Sequence, residues 1–168
     1  MTSRRAVTWI QLLILAVVPG AVIAANLRTT SDTAEQNLMT AKERSVLLGI
    51  NRIRKQNGLS ELKMNSALTE LARNQSGDLA ATGIFSHTNS SGQNLRARLS
   101  GTPFERSFAG ENLQKNNYPD PVTAAIDGWV HSPGHFRNIL DGRFTETGIG
   151  VARDDQGYLV FTQIFLAR

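Results

Sequence analysis

Three residues of this chain carry side chains suited to acid–base or metal chemistry at points where regular patterning breaks. They are His87 in Phe85-Ser86-His87-Thr88, Glu111 in Gly110-Glu111-Asn112, and His135 in Ser132-Pro133-Gly134-His135. Polar groups on loops held by a rigid scaffold are disproportionately those that bind or react. Each also has an ordinary reading. His87, among Ser, Thr, Asn and Gly, would be a surface or capping residue, and Glu111 is either a buried ligand or a turn residue. His135 would cap or pack locally, since Ser132 resembles an N-cap and Pro133 the first position of a short helix. His131 and His135 stand four apart, the spacing of two zinc ligands on one helical face. Pro133 between them interrupts such a helix, and the glutamate of the metalloprotease motif is missing, so that pair is set aside.

Other chemistries are excluded by what the chain lacks. With no cysteine there is no thiol nucleophile, and no Gly-x-Ser-x-Gly elbow presents a serine. No phosphate-binding Gly-x-x-x-x-Gly-Lys loop occurs, nor a Gly-x-Gly-x-x-Gly fingerprint after a strand. The net charge of +4 falls to +2 once Arg4 and Arg5 are set aside as targeting residues. The remaining charge is scattered. Arg52-Arg54-Lys55 reads as the solvated face of an amphipathic helix, and Arg96 and Arg98 as a second small cluster. Without a basic stripe and interleaved aromatics, nucleic acid is not an expected partner.

The elements that must position the three residues follow from periodicity and caps. Leu38, Ala41, Val46, Leu47, Ile50 and Ile53 recur helically, with Gly58 as the stop. Asn65 caps a second helix with a stripe of Leu68, Leu71, Ala72 and Leu79, ended by Gly83, and Asn94 to Leu99 forms a shorter third. Asp120-Pro121 starts another, with Val122, Ala125, Ile126, Trp129 and Val130 facing inward. Thr147–Ala152 and Tyr158–Phe165 read as strands joined by the turn Asp154-Asp155-Gln156-Gly157. The second strand is apolar on both faces, so helices must cover both sides of its sheet. The expected fold is a single α/β domain of three layers, with Trp129, Ile126, Leu71, Ile149, Phe161 and Phe165 in its core.

Residues 1–25 read as a signal peptide, with Arg4 and Arg5 before the apolar run Ala6–Val18 and cleavage near Ala24 or Ala25. An uncleaved signal anchor is the alternative, because the apolar stretch approaches the length of a span. Residues 26–37 are a polar linker, and 38–168 the domain. Either reading exports the domain, as a secreted or periplasmic protein or one tethered to the membrane. Without disulfides it must rest on its core, which suits a bacterial envelope. Membrane contact is expected only through the N-terminal segment, and a monomer is favoured.

Taken together, Phe-Ser-His, Gly-Glu-Asn, Trp-x-x-Ser-Pro-Gly-His-x-x-Asn-Ile-Leu and Gly148-Ile149-Gly150-Val151-Ala152 resemble the CAP superfamily of cysteine-rich secretory proteins, insect venom antigens and plant pathogenesis-related proteins, in its bacterial, cysteine-free branch. The resemblance spans about Ala41 to Ala167. It implies an α-β-α sandwich with a cleft lined by two histidines and up to two acids, which carry over as His87, Glu111 and His135. The second acid of the eukaryotic members falls three residues after the tryptophan, where this chain has Ser132, a candidate cleft-lining residue. Two imidazoles and a carboxylate suffice for a divalent cation, zinc first, with magnesium or calcium less suited, and leave a position for water. The same trio would also serve as a metal-free hydrogen-bonded cluster, or Glu111 as a general base. The Ser, Asn and Gly around His87 imply a loosely organised site and modest metal affinity. Two functions follow: a binding module for a small molecule, lipid, peptide or envelope polymer, or an envelope hydrolase of peptidase type using the His87, Glu111 and His135 cleft.

Overall fold

A computed structural model describes residues 41–167. The signal peptide or anchor, the linker and Leu38 lie outside the described residues. Helix α1 (41–56) buries Val46 and Ile50 and ends where Gly58 adopts φ +73°, a left-handed turn open to glycine. Strand β1 (Lys63–Met64) follows, then α2 (Ser66–Thr82). Asn65 caps α2 by accepting from the amides of Ala67 and Leu68, and left-handed Gly83 stops it, as the spacing predicts. The short α3 (Leu95–Leu99) is capped by Asn94. Strand β2 (Phe108–Asn116), α4 (Pro121–Val130), α5 (Pro133–Leu140), β3 (Glu146–Arg153) and β4 (Leu159–Ala167) complete the order.

The four strands are arranged β1-β3-β4-β2, parallel between β1 and β3 and otherwise antiparallel. β4 is buried along almost its whole length, and its two faces enter different clusters. Leu159, Phe161 and Phe165 pack with Val46 and Ile50 of α1, Ala125 and Trp129 of α4 and Ile139 of α5. Val160, Ile164 and Leu166 pack the opposite way, against α2 and α3 through Leu68, Ala72, Leu79 and Leu99. This is the three-layer α/β sandwich that the two-faced apolar strand requires. Trp129, Ile149, Phe161 and Phe165 are fully buried. Ile126 and Leu71 are only half-buried, because each packs at the margin of its cluster.

Gly148 and Gly150 explain the Gly-Ile-Gly motif. A Cβ on Gly148 would lie 2.1 Å from the Leu68 carbonyl carbon, and one on Gly150 would lie 2.3 Å from that of Ala72. The backbone of α2 therefore rests directly on β3, and only glycine leaves the room.

Two expectations need correction. Glu111 does not sit at a turn: it lies in the middle of β2, in register with Ile164. Arg54 does not belong to a solvated face, for it is 1% exposed. Its Nε donates to the Ser60 carbonyl, Nη1 to those of Ile139 and Asp141, and Nη2 to that of Phe144. The guanidinium thereby ties α1 to the chain between α5 and β3.

Candidate functional site

Side chains alternate across a strand, so Glu111 shares with Ala109 and Leu113 the face of β2 turned to α2 and α3. Its carboxylate is 3% exposed and both oxygens are engaged. Oε1 lies 2.9 Å from Nδ1 of His87, and Oε2 accepts from Nη2 of Arg98 at 2.7 Å. The Arg98 side chain, on α3, is 6% exposed, whereas that of His87 is 57% exposed. Arg98 is the site residue that the sequence reading missed. The sequence shows it only as one of a small basic cluster with Arg96, and nothing local announces a partner on β2.

His87 lies in the loop between α2 and α3, and that loop is better organised than its composition suggests. Buried Gln75 of α2 donates to the Ser86 carbonyl at 3.2 Å. Asn89 accepts from the amides of Ser91 and Gln93, and Ser90 bonds Asp78 through both its amide and its hydroxyl.

His135 lies on α5, which packs in the other layer beside β2. Asn138, on the same helix α5, donates to the side-chain oxygen of Asn112 at 2.9 Å and to the Glu111 carbonyl at 3.3 Å, and Asn112 donates back to the His135 carbonyl at 3.1 Å. These three hydrogen bonds clip α5 to the edge of β2. Trp129 covers the next position of that edge, donating from its indole to the Leu113 carbonyl. Burial holds the His135 imidazole below the usual histidine range, and the nearby His87 adds to the effect. Both causes favour the neutral form of the His135 imidazole. The structure thus brings His87 against Glu111.

Ser132 is the N-cap residue of α5, three positions before His135, and its hydroxyl makes no capping hydrogen bond. His131 is apart from the group: exposed at the end of α4, its Nδ1 lies 2.9 Å from the Asp127 carbonyl. For a divalent cation the donor set is narrower than three ligands. With both Glu111 oxygens engaged, the groups that fit are Nε2 of His87 and the imidazole of His135, the carboxylate standing behind His87 as an outer partner. Among the described residues no group of three or more His, Asp and Glu side chains is arranged to hold a metal.

The sequence pattern of the cysteine-rich secretory protein (CAP) family matches residues 47–165. The chain belongs to that family. As a CAP domain it is 32% identical to the uncharacterized membrane protein YlbC of Bacillus subtilis over 84% of its own length and 39% of that protein. It is 29% identical to the uncharacterized protein YkwD of the same organism, over 84% of this chain and 53% of that one. The chain thus spans about half or less of the curated relatives it matches. Among solved structures, an extracellular SCP-domain protein of Bacillus anthracis superposes with a TM-score of 0.68 at 27% identity, covering 79% of this chain and 42% of that one. A cysteine-rich secretory protein of Staphylococcus aureus gives 0.59 at 26% identity, covering 77% and 39%. An outer surface protein of Borrelia burgdorferi also gives 0.68, at 17% identity over 76% of this chain and 93% of that one, and shares the fold. Among the described residues no helix is long and apolar enough to cross a membrane.

Proposed function

We propose that this CAP domain is an exported binding module whose cleft, between the His87 loop and α5, holds its ligand through two imidazoles. The observation that carries the reading is the engagement of both Glu111 oxygens. A general base needs a free acceptor within reach of the proton it takes, and here the acid of the site is spent on His87 and Arg98. Ser132 at the position of the second acid points the same way. Export is supported by the basic and apolar pattern of residues 1–25 and by the extracellular relative from Bacillus anthracis. The ligand class is that of the cleft chemistry: a small molecule, lipid, peptide or envelope polymer with a group that meets neutral imidazole.

A divalent cation, zinc first, is proposed as one such ligand, held by Nε2 of His87 and by His135 with water completing its shell. A bound zinc would supply a polarised water or a docking point for an anionic group. Glu111 would hold the His87 ring in place, and the lowered proton affinity of His135 would keep its lone pair available at neutral pH. Two protein ligands are fewer than the four of closed structural sites, so the expected affinity is modest.

Calorimetric titration of Zn²⁺ into the wild type and into His87→Ala/His135→Ala tests the reading. The expected result is measurable binding that the double variant loses. Equal binding by both proteins removes the metal from the cleft. A chelator-sensitive hydrolysis of envelope peptide by the wild type, lost in Glu111→Gln, would replace the binding module with an enzyme.

A further inference from the structure

We infer that Arg98 is a positioning residue: by claiming Oε2 of Glu111 it leaves Oε1 to accept from Nδ1 of His87, and so presents the Nε2 lone pair of His87 to the cleft. The inference deepens the binding-cleft reading and rests on it for its purpose, but it concerns the free protein and needs no ligand to test.

The geometry sets the direction of each hydrogen bond. Arg98 Nη2 is 2.7 Å from Oε2, and a guanidinium only donates and does not lose its proton in proteins. A carboxylate facing it accepts, so the other oxygen, 2.9 Å from Nδ1 of His87, accepts as well. Nδ1 must then carry the ring proton. Nε2, on the far side of a ring that is 57% exposed, keeps its lone pair. An isolated neutral imidazole prefers the opposite arrangement, with the proton on Nε2. Arg98 Nη2 also lies 3.4 Å from the His87 carbonyl, so one cation touches both the backbone of His87 and the carboxylate that orients its ring.

The unused donors of Arg98 argue against a merely structural clasp. Its Nε and Nη1 are buried and have no hydrogen-bond partner among the described residues. Buried donors left without a protein partner are costly, so this arginine is a poor device for joining the layers alone. An apolar pair joining α3 to β2 would hold the layers without that cost.

The test exploits the asymmetry of an amide. In Glu111→Gln the side chain offers one oxygen and one NH₂ group. If Arg98 dictates the orientation, the oxygen turns to Arg98 and the NH₂ faces His87, whose Nδ1 must then accept and whose proton moves to Nε2. Long-range ¹H–¹⁵N spectra of histidine-labelled protein, at a pH where the rings are neutral, read this directly. The wild type is expected to show a pyrrole-type Nδ1 and a pyridine-type Nε2 on His87, and Glu111→Gln the reverse. In Glu111→Gln/Arg98→Met the amide is free to turn, and the expected result is partial return of the Nδ1–H form. A His87 that keeps its proton on Nδ1 in Glu111→Gln overturns the inference, and because Gln is isosteric this single variant decides it. Zinc binding in the calorimetric experiment stands or falls separately, so loss of one reading leaves the other measurable.

Discussion

Arg54 lies between α1 and the α5–β3 connection with each guanidinium nitrogen hydrogen-bonded, while Arg98 lies behind Glu111 with only Nη2 paired among the described residues. Both are removed from water, and their partners differ in kind. Arg54 meets four neutral backbone carbonyls, from Ser60, Ile139, Asp141 and Phe144, which the fold must satisfy wherever it buries them. Arg98 meets a carboxylate, a partner introduced by a side chain and removable with it. The contrast separates a cation that completes the architecture from one that conditions a site, although both stand on helices among other basic residues.

The largest expected effect is at Arg54. Arg54→Met strands the buried carbonyls of Ile139 and Phe144, and a urea melt is expected to show a loss of about 3–5 kcal/mol. A loss below about 1 kcal/mol would mean that those carbonyls find other partners and that the two arginines are not different in kind.

Arg98→Met should cost less, about 2–3 kcal/mol, by leaving the Glu111 carboxylate buried with one partner. Replacing the pair together, as Arg98→Met with Glu111→Leu, should return stability to within about 1 kcal/mol of wild type, because a buried ion pair exchanged for apolar groups is often near neutral. The double-mutant cycle sharpens the comparison: a coupling of roughly 1–3 kcal/mol is expected here. Strictly additive losses would make Arg98 another architectural residue.

The smallest effect concerns pH. His135 has its proton affinity lowered in the folded state by burial first and by His87 second. Between its lowered folded value and the usual histidine value of about 6.5, the unfolded chain binds more protons, so stability rises with pH across that window. The contribution is complete above about 6.5 and is lost as pH falls through the folded value. Urea melts of the wild type and of His135→Asn along that range should differ by this component. Identical pH profiles would mean that His135 is solvated like any surface histidine.

What could be read in the sequence was whatever is decided locally. Asn65 and Asp120 announce their helices through the amides just beyond them, and Gly58 and Gly83 stop theirs through a backbone angle. The apolar faces of β4 show which element lies centrally. β2 was hidden because Gly110, Asn112 and Gln114 do not alternate with apolar residues as a half-buried strand usually does. Their burial is supplied by α4 and α5, through Asn138 and through Gly128, whose missing Cβ leaves room for Gln114. Of the candidate site, motif order named His87, Glu111 and His135, and the structure pairs the first two. The role of Arg98 depends on a contact with Glu111 between two elements, one of which had no strand signature, and a lone arginine carries no mark of it. The same holds for Arg54, whose partners at Ile139 and Phe144 are 85 and 90 residues away along the chain.

The strand order β1-β3-β4-β2 also governs how the molecule comes into being. β4, the last element of the described chain, is flanked by β3 and β2 and contributes to both faces of the core. Each helical layer packs on one face of Leu159–Ala167, so neither has its full core until that last strand has been synthesised. Strand pairing between distant parts of a chain is also intrinsically slow. A chain whose central strand is made last is slow to complete its core, a property suited to the export proposed above.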